Sequence, residues 1–165
     1  MRIITDNAVN SINLAIRELQ AAIEINPSNA LAHYGLGAAY VFSGRPEPSL
    51  AHLDDAVRLS PQDANMGSFC VRKAQAQLYL HDYEAAIDWA RRSLQFPNFQ
   101  WSRYVVLISA LGHLGRTAEA QSALETLRQR IPGFSARYAL DYSPWVDDVH
   151  FRHLMDGLEK AGLTI

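Results

Sequence analysis

The stretch that decides how the chain folds is His33-Tyr34-Gly35-Leu36-Gly37-Ala38-Ala39-Tyr40-Val41-Phe42-Ser43-Gly44, continued by Ser49, Leu53, Ala56 and Ser60-Pro61. Its first half has helical spacing and stops at a glycine, the residue that most easily takes the left-handed conformation closing a helix. Its second half places a small residue, Ser49, four before Leu53 and seven before Ala56. That spacing marks one face of a second amphipathic helix, which Pro61 ends. Helix, tight turn, helix is therefore the local reading.

The same unit recurs along the chain. Ala15, Leu19 and Ala22 precede Pro27 at the offsets at which Ser49, Leu53 and Ala56 precede Pro61, and the two prolines stand 34 residues apart. Ala120, Leu124 and Leu127 precede Pro132 in the same way. Ala86, Ala90 and Ser93 precede Pro97 with one residue fewer, so Pro97 breaks the register. A helical stretch over 101–114 ends at Gly115, and His81 takes the place of the closing glycine in the middle unit. Asp82 and Thr117 are read as N-caps of the helices that follow. Gly37, Ala74, Ser49, Ala86 and Ala120 are small where antiparallel helices must approach closely. Tyr40, Leu53, Leu107 and Leu124 fill the space between successive pairs. One pair cannot bury its apolar face alone, and stacking makes the core.

These residues resemble the tetratricopeptide-repeat (TPR) family. Leu36, Gly37 and Tyr40 match the first-helix signature, and Gly44, Leu53, Ala56 and Pro61 the second, with Ser49 in place of alanine and His33 in place of the usual large residue. Tyr104, Leu107, Leu111, Gly115, Ala120, Leu124 and Pro132 match again, with Ile108 at the small position. The middle repeat matches through Asp82-Tyr83-Glu84-Ala85-Ala86 and is weakest over Cys70, Lys73 and Ala74. The resemblance covers about residues 13–133. It implies an all-α, TPR-type α-solenoid, a right-handed superhelix of antiparallel helix pairs with a C-terminal capping helix. The expected division of this single domain is a half repeat at 1–29, three helix pairs at 30–133 and a cap at 134–165.

At the front, Thr5 or Asp6 is expected to cap a helix running to about Ile25, with Val9, Ile12, Ile16, Leu19 and Ile23 on one face. No helix precedes it, so a capping role, a longer protein and a homodimer through this half repeat all stay open. At the back, a short helix is expected over 134–140, a turn at Ser143-Pro144-Trp145 and a last helix over 146–161. Phe151, Leu154 and Leu158 give that helix an apolar side. A narrower resemblance, carried by Asp88-Trp89-Ala90-Arg91-Arg92-Ser93-Leu94, by Leu111-Gly112-His113-Leu114-Gly115-Arg116 and by residues 154–163, is to the C-terminal TPR region of bacterial class III adenylate/guanylate cyclases and some winged-helix regulators. It implies a regulatory segment without the catalytic part.

Composition narrows the function. A net charge of −2 disfavours a nucleic-acid groove, and the arginines at 91, 92, 128, 130 and 137 are read as outer-face residues whose stems cover apolar surface. Apolar runs such as 104–111 fall short of the ~20 residues of a membrane span. Cys70 is the one cysteine, so neither an intrachain disulfide nor a cysteine-rich zinc site can form. The first six residues lack the apolar core of a signal peptide, which makes the cytoplasm the expected location. Asp54-Asp55 and Asp147-Asp148 point in different directions on a helix and form no acid/base couple. Gly35-Leu36-Gly37 lacks the continuation of a dinucleotide fingerprint. His150 and His153, with Asp147 a turn earlier, are read as solvated or capping residues, and no metal or cofactor is expected.

The expectation is therefore a non-catalytic scaffold for protein–protein interaction. In TPR arrays the first helices line a concave groove, and by that register the groove-facing positions are Tyr34, Ala38, Val41, Arg72, Gln75, Tyr79, Val105, Ser109 and His113. Aromatic and arginine anchors along an otherwise small or apolar trough suit an extended or helical peptide. The clamp that TPR co-chaperones place on a C-terminal carboxylate needs several lysines and asparagines here. Arg72 is the one cationic candidate, so that subclass is set aside.

Overall fold

In the computed structural model, residues 6–141 and 148–163 are described. They form helices α1 (Asp6–Ile25), α2 (Ala30–Phe42), α3 (Pro46–Leu59), α4 (Met66–Tyr79), α5 (Tyr83–Leu94), α6 (Trp101–His113), α7 (Thr117–Arg130), α8 (Ala136–Asp141) and α9 (Asp148–Lys160), with no strand among the described residues. Helices α2/α3, α4/α5 and α6/α7 are the antiparallel pairs, and α1 packs on α2 as the odd helix of an α-solenoid. Thr5 and the 143–145 turn lie outside the described residues.

Each pair closes by the same device. Gly44, His81 and Gly115 take left-handed φ values of 72°, 63° and 68°. The residue after each donates its N–H five residues back: Arg45 to Tyr40 and Asp82 to Gln77 at 2.9 Å, Arg116 to Leu111 at 2.9 Å. Three equivalent turns built this way satisfy helix-end carbonyls that would otherwise be orphaned. Asp82 caps α5 by accepting from the Ala85 N–H at 3.2 Å. The cap at α7 differs from the sequence expectation. Thr117 is already helical, Arg116 holds the cap position, and the Thr117 hydroxyl turns back to the Gly115 carbonyl.

Small residues sit where helices cross. A Cβ on Gly37 would stand 2.6 Å from Leu53 Cγ and 3.1 Å from the Ser49 carbonyl, so α2 and α3 can touch only without it. Ser49, Ala86, Ala90, Ser93 and Ala120 are fully buried at equivalent crossings. The buried hydroxyls of Ser49 and Ser93 donate to the carbonyls of Pro46 and Ala90, both at 2.6 Å, which removes the cost of an unpaired polar group.

The register break at Pro97 also has a physical account. The α5–α6 connection turns at Asn98, φ 71°, and its inner carbonyls are gathered by one guanidinium. Arg103 Nη1, on a side chain 4% exposed, donates to Ser93 at 2.9 Å and Phe96 at 3.1 Å. Gly67 makes room for that guanidinium, since a Cβ there would overlap it.

At the front, Ile16 is buried with Leu36, Ala39 and Tyr40, and Ile12, Leu19 and Ile23 pack around them. The apolar face of α1 thus lies on α2, while Val9 is exposed. Helix α9 packs chiefly on α6, lying across it and reaching α4.

Candidate functional site

The first helices of the pairs, α2, α4 and α6, lie side by side, and α9 crosses the last two. Its anchoring starts from its apolar face, where Phe151, Leu154, Met155 and Leu158 are all buried. Burying four such side chains contributes several kcal/mol, at about 1.5–3 kcal/mol each. The crossing is close because both helices offer glycine at it: Gly112 on α6 and Gly157 on α9. Polar contacts then fix the register. Ser109 Oγ donates to the Leu154 carbonyl at 2.9 Å. Gln121, on α7, donates to the Ala161 carbonyl at 2.6 Å. At the other end of α9, the His150 ring lies 4.8 Å from that of Tyr79.

The nine positions read as groove-facing therefore fall into three sets. Tyr79, Val105, Ser109 and His113 belong to the part of the face where α9 lies, and Gln75 is buried there, donating to the Tyr79 hydroxyl at 2.8 Å. Ala38 and Val41 are buried on α2. Tyr34 and Arg72 are half-buried and, with Ser68, Gln100 and Trp101, line an open cleft of about 310 Å³. Tyr34 stacks on Phe69 at 4.6 Å, and Arg72 lies 4.8 Å over the Phe42 ring while donating to Gln75. Both side chains are thereby held in place rather than free in solvent. Ser68, Gln100 and Trp101 were not singled out from the sequence; the helix register of α4 and α6 carries them, but the longer α5–α6 connection obscures it.

A second cluster forms where α9 meets the turn between α4 and α5. His153 lies with its ring 4.1 Å from His113 and 4.2 Å from His81. Tyr83 stacks on His113 at 4.7 Å, nearly parallel. His113 Nε2 sits 3.0 Å from the His153 carbonyl, which can only accept, so Nε2 carries the proton. Burial, then the neighbouring His113 and His81, push the His153 imidazole down to about 4. Burial likewise lowers His113 and raises the Tyr83 phenol. At neutral pH the stacked rings of His113, His153 and Tyr83 are therefore uncharged. His150 and His153 do share α9, but they serve different neighbours. Asp147, the acid placed beside them, lies outside the described residues.

Other candidate chemistry dissolves into structure. Cys70 is fully buried, and burial raises its thiol above the usual range, which removes the thiolate a nucleophile needs. Asp54 pairs with Lys73, whose ammonium also lies 3.9 Å from the Trp89 ring centre. Asp55 pairs with Arg58 at 2.7 Å. The arginines at 91, 92, 130 and 137 are spread over Glu119, Trp89, Phe99 and Asp141 rather than gathered in a patch. Among the described residues, no helix is long and apolar enough to cross a membrane.

Comparison with known proteins agrees with this architecture. Residues 8–44, spanning α1 and α2, match the family model of the TPR repeat. No curated protein sequence matches the chain. Among solved structures, the chain is similar to MamA, at TM-score 0.69 and 22% identity over 98% of this chain and 93% of that one. A second MamA structure gives 0.68 and 23%, over 93% and 85%. YrrB, described as a TPR protein with an unusual peptide-binding site, gives 0.65 and 19%, over 94% and 78%. The chain thus carries a TPR repeat and has the all-α fold of TPR solenoids.

Proposed function

We propose that this TPR-fold chain is a non-catalytic scaffold that binds a protein or peptide on its concave face, working in the cytoplasm as one domain. Its divisions are the half repeat at 1–29, the helix pairs at 30–133 and the cap at 134–165. The observation that carries the reading is α9 itself. The face formed by α4 and α6 takes an amphipathic helix, with apolar anchors, a glycine crossing and a few polar register contacts. That is the helix-in-groove mode of recognition, performed here within one chain. The part of the face beyond α9, with Tyr34, Arg72 and Trp101 around a cleft, is where a second chain has room to dock. An aromatic pair and an arginine there suit an extended peptide with an acidic or backbone carbonyl group for Arg72. The buried thiol and the paired carboxylates support the non-catalytic part of the reading. YrrB's peptide-binding site on a similar fold is an analogy in its favour. The narrower likeness to cyclase-associated segments adds a possible setting, and the groove reading does not depend on it.

The test is capture of a binding partner by the purified chain, with Tyr34→Ala and Arg72→Ala compared at matched helicity. Loss of the captured partner in both variants is expected. An unchanged capture profile would reject the cleft as the binding site. Tyr79 is left out of the test because it is 3% exposed and its loss would act on packing.

A further inference from the structure

We propose that the cleft under the α5–α6 connection binds a carboxylate on an apolar body, and that the Arg103 guanidinium is the group receiving it. The cleft holds about 310 Å³ and is lined chiefly by Leu94, Phe96, Phe99, Arg103, Tyr104 and Arg130, with no acidic residue in its lining. Phe99 and Gln100 separate it from the Tyr34–Arg72 cleft and line both. The site stands independently of the groove reading.

The first argument is a donor count. Arg103 is 4% exposed, yet of its nitrogens only Nη1 is used, donating to the carbonyls of Ser93, Phe96 and Pro97. Nε is buried with no acceptor among the described residues, and Nη2 bonds to none of them. Nε and Nη2 make up one edge of the guanidinium, the fork that takes both oxygens of a carboxylate. Helix α4 leaves that edge open. A Cβ on Gly67 would overlap Nη2 and Cζ and come within 3.0 Å of Nη1, so the backbone there covers the face of the group rather than its edge. The second argument is charge. Burial lowers the pKa of Arg103, and the Cys70 thiol is the one group acting the other way. A buried cation without a counter-ion carries an uncompensated desolvation cost, which a bound carboxylate removes. Arg130, exposed beside the same cleft and 5.9 Å over the Phe99 ring, adds a second positive charge that draws an anion in. The third is shape. Ligand clefts run from about 300 to 1,000 Å³, and this one, at the small end, has room for one apolar residue with its carboxylate. Leu94, Phe96, Phe99 and Tyr104 offer that residue apolar walls. A planar, singly charged group matches one fork, whereas a phosphate dianion needs more donors than remain. The C-terminal residue of a polypeptide and a free apolar acid both carry this chemistry.

The experiment titrates the isotope-labelled full chain with N-acetyl-phenylalanine and, separately, with its uncharged amide. NMR follows the Arg103 Nε–H and the backbone amides of 98–104. Saturable shifts with the acid are expected, the Arg103 Nε–H among them, and none with the amide. Arg103→Lys keeps the charge but loses the fork, and should weaken binding about tenfold. Arg103 also holds the α5–α6 connection, so Arg130→Ala, on the surface, reads the cleft where that variant disturbs the fold. It should weaken binding about threefold. Arg72→Ala, in the neighbouring cleft, should leave the affinity unchanged. A peptide ending in phenylalanine that binds clearly more tightly than the single residue assigns a polypeptide as the source; equal affinity assigns a free acid. Absence of saturable shifts, an equal response to the amide, affinity unaltered in both the Arg103 and Arg130 variants, or loss with Arg72→Ala alone would each overturn the proposal.

Discussion

Gly112 and Gly157 meet backbone to backbone where α6 and α9 cross. A Cβ on Gly112 would overlap the Gly157 carbonyl and come within 3.0 Å of the Ala161 nitrogen; one on Gly157 would lie 2.5 Å from the Ser109 carbonyl. Neither glycine has a positive φ. Their need is for room.

Gly157→Ala sets two effects against each other. Alanine favours the helix by about 1 kcal/mol over glycine. The methyl, however, meets backbone, which cannot rotate away, and overpacking of this kind costs about 1–3 kcal/mol. The expected outcome is a net loss of stability with faster amide exchange confined to α9. A higher melting temperature would show that the crossing tolerates the methyl.

The α2–α3 crossing gives a paired version of that test. Gly37→Ala forces Leu53 from its place and should cost about 1–3 kcal/mol. Leu53→Ala alone leaves a cavity and should cost about 2–5 kcal/mol. The double variant should cost clearly less than the two together, because the methyl partly fills the space that Leu53 leaves. Additive losses in urea denaturation would place the two residues out of contact.

His81 sits at φ 63°, a conformation that costs an L-residue about 1–2 kcal/mol and glycine almost nothing. Comparing His81→Gly with His81→Ala removes the ring contacts from both sides of the comparison. The glycine variant should be the more stable by about 1 kcal/mol. Equal stability would mean the turn relaxes when the imidazole is gone.

The His33–His52 pair makes stability depend on pH. Burial first, and then the neighbouring His33, lower the pKa of His52, with Asp55 opposing them. A histidine whose folded pKa lies below its unfolded value of about 6.5 binds fewer protons when folded. Its stabilising effect is therefore complete above that unfolded value and is lost as pH falls below it, toward the lower folded pKa. Urea midpoints should drop between pH 7.5 and 5.5, and His52→Gln should flatten the drop. An unaltered slope in the variant would assign the dependence to other groups.

Much of the fold was legible because its signals are local. Gly44 and Gly115 announce their turns, Asp82 its cap, and Ser49, Ala86 and Ala120 the crossings, all within one repeat length. Even His81 declares itself by standing where glycine stands elsewhere. The site was legible only as a face. The groove register places Ser109 and His113 on it, but their contacts, Leu154 and His153, are 45 and 40 residues away, and no periodicity links them. Gly157 is an interior helix glycine whose reason lies in Gly112, on another helix. Arg116 displaced Thr117 as the cap because its N–H was already committed to the turn, which fixes where α7 starts.

The position of α9 divides prospective partners into two kinds. A segment tethered in its own chain acts as a ligand at an effective concentration of about millimolar. A partner aimed at the stretch around Ser109 and Gly112 must outcompete that ligand, and its apparent affinity falls accordingly. A partner aimed at Tyr34 and Arg72 meets no such rival. The covered stretch thus works as a threshold, admitting only strong contenders, while the uncovered end stays open to weak ones.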